Sequence, residues 1–201
     1  MRCKKLPGFS LIELTLVLIV IGILAGAIFK GSELLTSAKI RATLNEIHRL
    51  RTAAMLYHET YGQWPGNDDQ AQNRFGESVQ NGQGNGIIAP REAAQFWVHL
   101  GKAGYLSEET PPSSKLGGKF MVEGKQDIHQ NVLILAGEDK AGLLTPKQAA
   151  ALKAAAEDGN PSTGQIQVTE GEGTQAGKCV RHGVFNLETK TPACILVVTL
   201  N

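Results

Sequence analysis

One stretch decides what this chain can become. Residues 9 to 29 read FSLIELTLVLIVIGILAGAIF, with 16 of 21 positions apolar. At about 1.5 Å per helical residue the stretch reaches roughly 31 Å, which matches a hydrocarbon core of about 30 Å. It is preceded by MRCKKLPG, whose Arg2, Lys4 and Lys5 make a basic leader. A secretory signal peptide has the same order of parts, but its apolar region runs to about 7–15 residues and ends at a small-x-small cleavage site. Here the run is longer, and Ala25-Gly26-Ala27 closes it only imperfectly. Glu13 separates the two cases further. A carboxylate inside an apolar span costs about 3 kcal/mol on insertion scales, and a signal peptide has no use for that cost.

The hexapeptide Gly8-Phe9-Ser10-Leu11-Ile12-Glu13, with a basic leader before it and an apolar run after it, resembles the class III signal of type IV pilins and type II secretion pseudopilins. The resemblance implies that a prepilin peptidase cuts between Gly8 and Phe9 on the cytoplasmic side and N-methylates Phe9. Leu6-Pro7 departs from the family leaders, which often carry a basic residue beside the cleavage glycine. Cleavage would turn Phe9 into a cationic amine, and the Glu13 carboxylate, four residues on, lies on the same helical face or within reach of a neighbouring subunit's terminus. Two charges that lipid tolerates poorly alone neutralise together. Between subunits, the pair would set the axial register of a filament. A protonated Glu13 at the headgroup level is the alternative at this point.

Orientation is weakly encoded. Lys30, Lys39 and Arg41 follow the span and Glu33 offsets them in part, so the positive-inside rule is nearly silent. The large downstream domain and the cysteines favour a head outside the inner membrane.

Beyond the span, Ile40, Leu44, Ile47, Leu50, Ala54, Tyr57 and Tyr61 recur at steps of 3 and 4, the period of an amphipathic helix. Lys39, Arg41, Glu46, Arg49 and Glu59 take the other side. The helix is expected to run from the span to about Tyr61, as the long N-terminal helix of the pilin family does, with no proline to bend it. Gly22 and Gly26 form a GxxxG spacing, read as close packing or as a specific dimer face.

Gly62-Gln63-Trp64-Pro65-Gly66-Asn67-Asp68 is a helix stop followed by a turn. Residues 66 to 90, rich in Gly, Asn and Gln, are expected to form a surface loop, because no Lys and Ser/Thr stand where a phosphate cradle needs them. Arg91 to Leu106 reads as a short helix with Trp97 as a core anchor. Lys119 to Gly124 and Asn131 to Ala136 read as an antiparallel pair. Thr145-Pro146-Lys147-Gln148 is a capping box opening a helix to about Glu157. The Leu143–Gly164 stretch, and the Pro65–Asp68 turn with Trp97 and Ala103-Gly104-Tyr105, are similar to parts of longer pilin-like proteins. Some pseudopilins bind calcium in a C-terminal loop, but Asp68/Asp69 and Glu157/Asp158 lack a D-x-[DN]-x-[DN]-G ladder and read as turn chemistry and a solvated helix end. No metal site is assigned.

Three cysteines, at positions 3, 179 and 194, make neither a disulfide scaffold nor paired CxxC clips. Cys3 would leave with the leader. In an oxidising compartment Cys179 and Cys194 would bond, closing a loop worth about 3 kcal/mol, and such a loop resembles the disulfide-bounded C-terminal region of pilins.

No nucleophile elbow, HExxH, Walker loop or paired metal cluster occurs, so neither an enzyme nor a cofactor is expected. With 20 Lys+Arg against 19 Asp+Glu there is no basic excess of the nucleic-acid-binding kind. Removing residues 1–8 takes three cations and leaves 17 basic against 19 acidic groups on 193 residues, a formal −2.

The expected fold class is α+β, a long N-terminal helix packed on a small antiparallel β-sheet, pilin-like. Its parts are a leader 1–8, a membrane and filament-core helix 9–29, an amphipathic continuation 30–62 and a head 63–201. The function the resemblance implies is a self-assembling subunit of a type IV pilus-like or type II secretion pseudopilus filament. Its partners are the prepilin peptidase, an assembly ATPase and platform protein, other (pseudo)pilins and the inner membrane. The alternative is a tip-located minor pilin or a singly anchored periplasmic binding protein for DNA or surface ligands. Only a DNA-uptake pilin would have a nucleic-acid partner.

Overall fold

The computed structural model describes residues 10–200, apart from the side chains at 27–29, 32 and 33. By its internal contacts the chain divides into two units, Met1–Lys39 and Ile40–Asn201. One helix, α1 (Leu11–Tyr61), contributes to both.

In the first unit the helix begins where the Ser10 carbonyl accepts from the N–H groups of Glu13 and Leu14 at 3.1 and 3.2 Å. Every described side chain from Ser10 to Gly26 is exposed, including Leu11 at 83% and Ile12 at 74%. Among the described residues no helix is long and apolar enough to cross a membrane. The stretch expected to span runs over 9–29, and Phe9 and the side chains at 27–29 lie outside the described residues.

In the second unit α1 buries Ile40, Leu44, Ile47, Leu50, Ala53, Ala54 and Tyr57. This is the 3–4 stripe of the sequence, with Tyr61 only partly covered. Burying a large apolar side chain contributes about 1.5–3 kcal/mol, so this face rather than intrinsic propensity holds the helix here. It ends at Gly62, whose N–H donates to the His58 carbonyl at 2.8 Å and whose φ of +70° is the left-handed conformation that glycine takes most readily.

Short helices α2 (Ala71–Phe75) and α3 (Ala93–Lys102) follow, then strands β1 (Lys119–Lys125) and β2 (Gln130–Ala136). Helix α4 (Pro146–Ala156) starts on the expected box: the Thr145 hydroxyl accepts from Gln148 N at 3.3 Å and the Gln148 side chain accepts from Thr145 N at 3.0 Å. Strands β3 (Ile166–Glu170), β4 (Val180–Arg181), β5 (Val184–Phe185) and β6 (Cys194–Thr199) complete the chain. A four-stranded sheet has the order β1-β2-β6-β3 and is antiparallel throughout. The hairpin β4-β5 stands apart. The expected α+β class, a long N-terminal helix with a small antiparallel sheet, is what forms.

The period-2 alternation of β2 splits its side chains between two faces. Leu133 and Leu135 join the main core with Ile47, Leu50, Phe96, Leu100 and Leu152. Val132, Ile134 and Ala136 join Ile195 in a second cluster. Cys194 opens β6, a middle strand flanked on both sides, and CILVVT is buried at Cys194, Ile195, Leu196 and Val198.

Candidate functional site

The residues singled out from the sequence fall into separate regions. Gly8 and Phe9, the expected cleavage and N-methylation positions, and Cys3 lie outside the described residues. Glu13 sits in the first turn of α1, exposed between the exposed Ile12 and Leu14. A Cβ added at Gly22, Gly26 or Gly31 would meet nothing within 4 Å. Gly22 and Gly26, four residues apart, share one uncovered side of the helix on which another helix can approach closely, while Gly31 lies round the other side.

Cys179 and Cys194 are bonded, with their Cα atoms 5.1 Å apart and a sequence separation of 15. The bond ties the base of the β4-β5 hairpin to the first residue of β6. Inside the loop the Asn186 N–H donates to the Cys179 carbonyl at 2.9 Å and its side-chain amide donates to the Gly177 carbonyl at 2.7 Å. Glu170 accepts from Gly177 N and Val180 N at 3.0 and 3.2 Å. The hairpin is thus closed covalently and pinned at its base, while Val184 and Leu187 stand 63% and 55% exposed.

The expectation of a plain surface loop over 66–90 is corrected. Asn67, Asp68, Ala71, Val79 and Ile88 are buried, and the segment is fastened by a polar network. Asp68 Oδ2 accepts from the Tyr57 hydroxyl at 2.7 Å and pairs with Arg74, and Oδ1 accepts from Gln70 N at 2.8 Å. Burial first, and then the Asp68 carboxylate, push the Tyr57 phenol far above its ordinary value. Reading Asp68 as turn chemistry therefore captures its Gln70 bond and misses its bonds to the buried Tyr57 and to Arg74. Glu92 accepts from Gln83 N and Ala89 N, both at 2.7 Å, and from the Asn67 amide at 3.0 Å. Asn67 Oδ1 accepts from Gly86 N at 2.7 Å. Asn131 accepts from Ile88 N and donates to the Gly86 carbonyl, each at 2.9 Å. The packing needs glycine: a Cβ at Gly82 would lie 2.4 Å from the Asn67 backbone.

His99 completes the network. Its Nδ1 accepts from Gly66 N at 2.9 Å, so the proton must be on Nε2, which donates to the Gln80 carbonyl at 2.9 Å. Burial lowers its pKa, in keeping with a neutral ring. Both oxygens of Asp68 and of Glu92 are occupied and both His99 nitrogens are bonded. The arrangement therefore holds a loop in place.

The other acidic pair is likewise more than a solvated helix end. The fully buried Lys153 ammonium donates to Glu157, to the Thr163 carbonyl at 2.6 Å and towards Asp158 at 3.3 Å. Burial pushes the Glu157 carboxyl up, but bonds from Lys153, Gln165 N and Ile166 N outweigh it and the net pKa is lowered. The Thr163 hydroxyl and Asn160 N hold Asp158 down at about 2. The cation of this loop is supplied by its own lysine. Among the described residues no group of three His, Cys, Asp or Glu side chains could hold a metal ion.

No protein-family model and no curated protein matches the chain. Among solved structures it is similar to the major type IV pilin PilA1 from Clostridium difficile, at 15% identity, covering 82% of this chain and 96% of that one, with a TM-score of 0.46.

Proposed function

We propose that this chain is a structural subunit of a type IV pilus-like or type II secretion pseudopilus filament. In this reading a prepilin peptidase cuts between Gly8 and Phe9 and methylates the Phe9 amine. The subunit then waits in the inner membrane, anchored by residues 9–29 with its head in the periplasm. An assembly ATPase and platform protein draw it into the filament, where helix contacts replace lipid contacts. The action is mechanical and needs no catalytic group.

The observation that carries the reading is an apolar helical segment whose described side chains from Ser10 to Gly26 are all exposed, with one carboxylate in its first turn, on a chain whose second unit already encloses a full core. Such a segment requires lipid or other helices around it, and passage from a membrane into a filament core would supply the two in succession. The Glu13 carboxylate is the group that would pair with the Phe9 amine and fix the stagger.

The test has two arms. Co-expression with a prepilin peptidase should shorten the chain by 8 residues and leave a methylated Phe9; an unchanged mass would favour a singly anchored binding protein. Glu13→Val should insert into the membrane and accumulate there while filament yield collapses. Normal filament yield from that variant would refute the role given to Glu13.

A further inference from the structure

Outside the apolar helix, the second unit leaves four large hydrophobic side chains exposed among the described residues: Leu56, Ile128, Val184 and Leu187. Three of the four lie on two surfaces of opposite charge. Val184 and Leu187 project from the disulfide loop beside Arg181, Lys190 and Glu188, and Lys178 lines the adjoining hollow that shares Arg181 and Glu188, a formal +2 over the two together with His182 neutral. Ile128 lies at the mouth of a concavity of about 510 Å³ on the sheet face that carries the smaller apolar cluster. That rim bears Glu123, Asp127, Glu170 and Glu172 against Lys125 and Lys140, a formal −2, and its floor is made by Val132, Ile134, Ile195 and Val197.

We infer that the disulfide loop of one copy seats in this acidic sheet concavity of the next copy. Each surface has an apolar centre inside a charged rim, the rims are opposite in sign, and exposed apolar tips on one meet an apolar floor on the other. The two surfaces share no lining residue in one molecule, so a contact between them is heterologous. A heterologous contact whose rotation does not close propagates as an open helix, which is the symmetry a filament needs. The loop is also prepared for docking, since the Cys179–Cys194 bond and the two Asn186 hydrogen bonds reduce the ordering entropy that binding costs. The inference rests on the filament reading and adds a second, head-to-head-domain contact to it.

The experiment uses the full chain assembling in its own membrane, with a photo-crosslinking amino acid at Leu187. The expected product is a dimer whose crosslink maps to residues 128–134 or 195–197 of another copy. Arg181→Glu with Lys190→Glu should lower that product about tenfold, and Asp127→Lys with Glu172→Lys in the second copy should restore it. If the charge-reversed chain fails to accumulate, the Leu187 crosslink map still decides. Filaments that form with Leu187 crosslinked elsewhere, to lipid or to another protein, overturn the inference and leave the filament reading standing. Absence of filaments from the unaltered, processed chain overturns both.

Discussion

Tyr57→Phe isolates one atom of the network beneath the 66–90 segment. The ring stays, with its neighbours Tyr61 at 4.6 Å and His99 at 6.1 Å between centroids, and only the hydroxyl that donates to Asp68 at 2.7 Å is lost. Asp68 is fully buried, so water cannot replace the donor, and a hydrogen bond to a charged group contributes about 1.5–3 kcal/mol. Arg74 and Gln70 remain bonded to the carboxylate, which places the expected loss near 2 kcal/mol. For a domain of this size that corresponds to about 4–8 °C in Tm. Urea unfolding of the full chain in detergent should show a lower midpoint at unchanged slope. If the hydroxyl acts through Asp68, then Tyr57→Phe in an Asp68→Asn background should cost at least about 1 kcal/mol less than in the unaltered chain. Additive effects, or a Tyr57→Phe chain as stable as the original, would refute the account of the network.

The pH profile should show two losses of stability. His99 has a folded pKa below its ordinary 6.5 because burial disfavours its charged form. Its stabilisation is therefore complete above about 6.5 and falls as pH drops below that value, by at most about 1.4 kcal/mol per unit; urea midpoints from pH 8 to 5 would record it. Asp158, held at about 2 against an ordinary 3.8, contributes above pH 3.8 and loses its contribution on the way to 2, so Asp158→Asn should flatten that part of the curve. Reducing the Cys179–Cys194 bond, or replacing both residues with serine, should cost about 3 kcal/mol for a loop of this length, seen as equal shifts in Tm for the reduced and substituted chains. Thr145→Ala should cost about 1 kcal/mol by removing the acceptor for Gln148 N, measured by the same unfolding curve.

Much of the fold is local and so was legible. The stripe from Ile40 to Tyr57 is a period in one element, and the Thr145–Gln148 box is a contact across three residues; both depend on neighbours in sequence. The polar network is different in kind. Asn67 meets Glu92 across 25 positions and Ile88 meets Asn131 across 43, and nothing in a run of Gly, Asn and Gln announces such partners. Composition alone therefore reads 66–90 as solvated. Strand β6 did carry a signal in its β-branched CILVVT run, but the cysteine drew the reading instead of the pattern around it. Glu13 stands out in the sequence because a carboxylate in an apolar run is costly wherever it stands. Its neighbours in an assembly are another matter, because one chain cannot display them.

The two units separate two kinds of energy, and that separation bears on assembly. Every buried member of the main core lies at or beyond Ile40, and the described side chains from Leu11 to Gly26 add nothing to it. A substitution at Glu13 therefore leaves head stability untouched and changes only what surrounds the helix. A substitution at Tyr57, Asp68 or His99 does the reverse. Under the function proposed above, a subunit passing from lipid into a filament would benefit from this division, since its head need not loosen while the helix changes environment. If Glu13→Val and Tyr57→Phe each altered both filament yield and head unfolding to similar extents, the units would be coupled and the division would fail. Under the division, Glu13→Val abolishes assembly at an unchanged urea midpoint, and Tyr57→Phe shifts the midpoint while the folded fraction still assembles.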